Sequence, residues 1–146
     1  MKNNSSLVYA MVLVVGDFLA LVVGFVFAYI LRVSISHAPL AETVHSRTYL
    51  SIFLVLLPFW ILIFALLGLY SSSIQEKRFN ELGRLLIGSF VGLLFVIGYQ
   101  YAVNKPVFPA RLVPVYGFIL AFLLLVAFRN RVITTAIYLS NFLLKR

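Results

Sequence analysis

Residues 7–31 read LVYAMVLVVGDFLALVVGFVFAYIL, twenty-five positions with one charged side chain, Asp17. A helix of that length reaches about 37 Å, enough to cross a hydrocarbon core of about 30 Å with some tilt. Small residues recur along it every fourth position: Gly16, Ala20, Gly24 and Ala28. At about 100° per residue these four and Asp17 fall within an arc of roughly 120°. The carboxylate therefore lies on the face that admits a close helix neighbour, turned away from lipid.

The rest of the chain repeats this pattern. Of 146 residues, 63% are hydrophobic and 11% charged, with a mean hydropathy of +1.07. Soluble domains average about 45–50% apolar and about 25% charged, so a soluble globular class is excluded. Further spans are expected over residues 49–70, 85–101 and 112–128, giving an all-α four-helix transmembrane domain over 1–131. Pro58 predicts a kink in the second span, and Trp60 beside it is a packing residue. Gly88 and Gly92 form a G-x-x-x-G pair in the third, a plausible partner face for the first span. Residues 105–111, with Lys105, Pro106, Pro109 and Arg111, form a tight turn that cannot be helical throughout.

The tail, residues 132–146, separates apolar positions (Val132, Ile133, Ala136, Ile137, Leu139, Leu143, Leu144) from polar ones (Thr134, Asn141, Lys145). It reads as an amphipathic helix lying at the membrane surface. Lys2, Lys77, Arg78, Arg84, Arg129, Arg131, Lys145 and Arg146 collect on one side of the membrane; Arg32, Arg47, Lys105 and Arg111 collect on the other. That excess places both termini in the cytoplasm. The net charge of +8 is topological. No basic stripe interleaved with aromatics is present, so nucleic acid is not an expected partner.

Candidate chemistry is sparse. There is no cysteine, hence no disulfide, thiolate metal site or cysteine nucleophile. His37, Glu42 and His45 lack metal-ligand spacing and read as a solvated loop, as do Glu76 and Glu81. Ser73 and Glu76 have the form of a capping box, so residues 71–84 are either a short interfacial helix or an irregular loop. No phosphate loop, H-E-x-x-H or nucleophile elbow occurs, and no catalytic, cofactor or metal residue is expected. Asp17 needs a proton or a partner inside the membrane. By depth, Arg84 and Arg129 are the candidate cations. An ion pair that fixes the bundle is preferred over a proton or lipid-phosphate site, since no second acid or histidine lies in any span.

The order of these pieces resembles the N-terminal membrane domain of the large bacterial polyprenyl-phosphate glycosyl-1-phosphate transferases. The residues that carry the likeness are Gly16-Asp17-Phe18-Leu19 leading to Ala28-Tyr29-Ile30-Leu31-Arg32, then Gly68-Leu69-Tyr70 closing the second helix. Glu76-Lys77-Arg78, Phe108-Pro109-Ala110-Arg111 and Arg129 at the end of the fourth helix complete it. Two runs depart from that pattern: Ser71-Ser72-Ser73, where an arginine often follows Gly-Leu-Tyr, and Phe108-Pro109-Ala110-Arg111, which stands where Phe-Ser-Arg is usual. The resemblance implies a bacterial inner-membrane protein whose family moves a sugar-1-phosphate from a nucleotide sugar to undecaprenyl phosphate. The catalytic machinery, with its magnesium ion, belongs to a downstream domain that nothing here matches. This chain is then expected to be inactive alone, to anchor and dimerise through its small-residue faces, and to position polyprenyl phosphate. Lys145-Arg146 would begin the connection to that domain. The alternatives are a stand-alone GtrA-like protein moving polyprenyl-linked sugars, or a non-catalytic assembly subunit.

Overall fold

The computed structural model describes residues 2–35, 45–71, 78–104, 108 and 112–145. These form four helices: α1 (Lys2–Ile30), α2 (Ser46–Leu66), α3 (Arg78–Val103) and α4 (Val113–Leu144), with a π-helical turn, Leu31–Ile35, ending the first. No strand occurs among the described residues. All four helices are long and apolar enough to cross a membrane.

Three boundaries differ from the sequence expectation. Helix α2 closes at Leu66 rather than residue 70, because Gly68 ends it at φ 71°. The Gly68 amide donates to the Ala65 carbonyl at 3.0 Å and the Leu69 amide to that of Phe64 at 3.1 Å. This is a Schellman ending, which needs a left-handed residue after the last helical turn. Helix α3 starts at Arg78, two turns before the expected Leu85, so Glu81 is in its first turn. Helix α4 runs unbroken to Leu144, and residues 132–144 continue it as one 32-residue helix. Pro58 sits inside α2 without ending it. The proposed capping box, His37 with Glu42, and the 105–111 turn apart from Phe108 lie outside the described residues.

Packing follows the small residues. Helices α1 and α4 run antiparallel and pair along their length: Gly16 faces the Phe128 ring, Gly24 the backbone of Ala121, and Phe25 the space left by Gly117. Ala20 and Ala28, on the same face, are buried. That stripe is filled by α4 of the same chain. Gly88 and Gly92 also change partner. Gly92 receives Trp60, and Gly88 receives Phe64 and Leu67, all from the α2 end rather than from α1. A glycine pair admits any bulky knob, and here aromatic rings fill it.

An aromatic core ties the two helix pairs together. The Phe25 and Phe53 rings lie 4.5 Å apart, Phe25 and Trp60 meet edge-on at 5.4 Å, and Tyr29 stacks on Tyr49 at 4.9 Å. The Tyr49 hydroxyl donates to the Phe25 carbonyl at 3.1 Å. The outside of the bundle is apolar, with Val8, Val15, Phe27, Val55, Phe90 and Leu123 exposed. Such a surface matches acyl chains rather than water.

Candidate functional site

Four segments converge on one guanidinium. Arg129, near the middle of α4, is 3% exposed, and Asp17 of α1 is fully buried. Nη2 of Arg129 donates to Asp17 Oδ2 at 2.6 Å. Nη1 donates to Glu81 Oε1 of α3 at 2.8 Å and to the Leu69 carbonyl beyond α2 at 3.1 Å. The Tyr70 ring lies beneath the same group, 5.7 Å from its central carbon. One planar cation thus bonds α1, α3 and the α2 end from α4. Arginine suits this because its donors fan out in one plane and stay charged at any relevant pH.

Local sequence explains each placement. Asp17 shares the close-packing arc with Gly16 and Ala20, which brings it against α4. Gly68 turns the chain back so that the Leu69 carbonyl points at Arg129 instead of continuing the helix. Leu69 itself is buried, and the Tyr70 hydroxyl and Asp17 Oδ1 are buried without a hydrogen bond. Burial pushes the Tyr70 phenol above its ordinary range, and the neighbouring Asp17 carboxylate adds to the shift. Gly68→Ala would place a side chain at a positive φ, a cost of about 1–2 kcal/mol. It should lower the unfolding midpoint in detergent, whereas Gly83→Ala, inside α3 with open space around it, should raise it slightly.

The sequence candidates sort accordingly. Asp17 and Arg129 pair. Arg84 lies instead beside Gly68, with Nη1 3.8 Å from where a Cβ would be, and is not the Asp17 partner. Glu81, read as a solvated loop residue, is a member of the cluster, and a second acid does stand in a span. The signal for it was available: positions 81, 85, 89 and 93 step by four along α3, and Leu85, Ser89 and Leu93 are buried. No group of three metal-ligating side chains occurs among the described residues.

Chemically, the cluster is two carboxylates closed on one guanidinium. Glu81 keeps 29% of its side chain exposed, whereas Asp17 keeps none, so access is from the α3 side alone. A groove of about 210 Å³ opens there between α3 and α4, with Glu81, Arg129 and Asn130 on its polar wall. No acid–base pair free of the cluster, nucleophile or phosphate cradle accompanies it among the described residues. No protein-family model, curated protein or solved structure matches the chain.

Proposed function

We propose that this chain is the membrane domain of a polyprenyl-phosphate glycosyl-1-phosphate transferase system. It is a four-helix bundle with both termini cytoplasmic in the bacterial inner membrane. It anchors the catalytic machinery and positions polyprenyl phosphate for it. One observation carries this reading. Three of the motifs that carry the resemblance, Asp17, Gly68-Leu69-Tyr70 and Arg129, are 51 to 112 positions apart along the chain, yet meet at a single point. Motifs that converge are parts of one device, and the device here is a clamp that sets the helix arrangement.

In this role Arg129 and Asp17 fix α4 on α1. Glu81 and the Leu69 carbonyl fix the α2–α3 connection to the same point. No residue in the cluster is a catalytic residue, and transfer chemistry with its magnesium requires a sugar-transferase domain beyond these residues. The test uses membranes from cells lacking the coding sequence, supplied with undecaprenyl phosphate and radiolabelled UDP-sugars. Solvent-extractable lipid-linked sugar phosphate should fall to background for one sugar and return with the wild-type chain. The purified chain alone should give no product. Unchanged incorporation from every sugar would refute the reading, and product made by the purified chain would refute its inactivity alone.

A further inference from the structure

The two helix pairs are out of step along the bundle, and the bonds of Arg129 show by how much. Its partners include the Leu69 carbonyl, just past the end of α2, and Glu81 in the first turn of α3. Both helices run from there towards the end of the bundle where Tyr29 stacks on Tyr49. On α1 and α4 the same level falls halfway along, at Asp17 and Arg129. From it these two helices continue the other way as a pair, to Lys2 and to Leu144, about 22 Å past the ends of α2 and α3.

That projecting length is apolar. Helix α1 has no charged residue between Lys2 and Asp17, and α4 has none between Arg131 and Lys145. Val8, Met11, Val12 and Val15 of α1 and Leu139 and Leu143 of α4 lie exposed on it. The level from which it projects is polar. Residues 71–84 carry Glu76, Lys77, Arg78, Asn80, Glu81 and Arg84; Ser71 and Asn80 are exposed, and so is part of the Glu81 side chain. A flat bilayer would misplace one of the two. With headgroups at the polar level, an uncharged two-helix surface about 22 Å long would stand in water. With headgroups at residues 2 and 145, where charge returns, the ends of α2 and α3 would face acyl chains.

We propose that acyl chains cover the paired ends of α1 and α4, and that the leaflet thins beside them, its headgroups and water descending to Ser71 and Asn80. Lengths select this arrangement. Helices α1 and α4, with 29 and 32 residues, reach about 44 and 48 Å, enough for a whole bilayer with its headgroup layers, about 40–45 Å. Helix α2, with 21 residues, reaches about 32 Å and matches the hydrocarbon core alone. A bilayer meets a shorter span by thinning around it, and the charges of residues 76–84 favour that over burial in lipid. The partner of this surface is a phospholipid leaflet, thick along α1–α4 and thin at α2–α3.

This inference rests on the helices crossing a bilayer and not on the transferase reading, and its test involves no transfer step. The chain has no cysteine, so each single-cysteine variant takes one spin label. Ser71→Cys, Asn80→Cys, Val12→Cys and Leu139→Cys, all at exposed positions, are reconstituted as the full chain in dioleoyl phosphatidylcholine vesicles. Power saturation compares collisions with oxygen, which partitions into acyl chains, and with a water-soluble nickel chelate. Labels on the 71 and 80 variants should favour nickel, and those on the 12 and 139 variants oxygen, although the latter lie nearer the projecting helix ends. Nickel preference at 12 or 139 would overturn the proposal, because the paired ends would then stand in water. Oxygen preference at 71 or 80 would also overturn it, since headgroups would not reach that level. So would exclusion of both reagents from any of the four, the signature of a second copy or another protein covering the surface.

Discussion

Replacing Arg129 with methionine should be the most damaging single change at a polar position of this chain. The substitution removes the partner of a fully buried carboxylate and of Glu81, and frees the Leu69 carbonyl. Breaking a buried pair from one side typically costs about 3–5 kcal/mol, because the remaining charge stays desolvated. Asp17→Asn should cost less, since the amide still accepts from Arg129 and Glu81 still balances the guanidinium. The double variant Asp17→Asn, Arg129→Met should recover most of the loss, since no uncompensated charge then remains beside α1. Unfolding of the detergent-solubilised chain, followed through its single tryptophan, Trp60, gives all corners of the cycle. An Arg129→Met variant within about 1 kcal/mol of wild type would mean that the cluster does not hold the helices together. If Asp17→Asn abolished biological activity at unchanged stability, the carboxylate would have a role beyond the clamp.

Why this cluster was only half visible in the sequence is a matter of what periodicity records. Asp17 stood out because a charge inside an apolar run is costly and because glycine and alanine marked its face. The arginine that would meet it was not fixed, since depth alone leaves Arg84 and Arg129 equal; the antiparallel register of α1 on α4 decides. Glu81 was hidden by its neighbours. Among Glu76, Lys77 and Arg78 it reads as one more solvated charge, and only the earlier start of α3 puts it in phase with Leu85 and Ser89. Leu69 contributes through its backbone, which no side-chain pattern reports, though the glycine that aims it was plain to see. The four spans were legible throughout, because hydropathy is a property of each segment alone. Which helix each glycine faces was not, because Gly88 and Gly92 look the same whether helix backbone or an indole ring approaches them.

That ambiguity separates two kinds of glycine in the α1–α4 contact and sets the second large effect. A methyl group at Gly24 would sit 2.6 Å from Ala121 Cα, 2.7 Å from its nitrogen and 2.8 Å from its Cβ. Carbon atoms settle at about 3.5–4.0 Å, so the two helices would have to part by about 1 Å. Gly24→Ala should therefore cost about 1–3 kcal/mol as overpacking, against a helix-propensity gain of about 1 kcal/mol. Gly24→Val should be worse, and the strain should reach the ion pair two turns away at Asp17. Shaving the partner will not help much: in Gly24→Ala with Ala121→Gly, two of the three clashing atoms are backbone and remain. Gly16 behaves differently, since the three atoms nearest to a methyl there all belong to the Phe128 ring. The loss in Gly16→Ala should be recovered in large part by Phe128→Leu. Gly98→Ala, with nothing within 4 Å, should raise stability slightly. Full rescue of Gly24→Ala by Ala121→Gly, measured by the same unfolding midpoint, would show that side chains rather than backbones set the distance between α1 and α4.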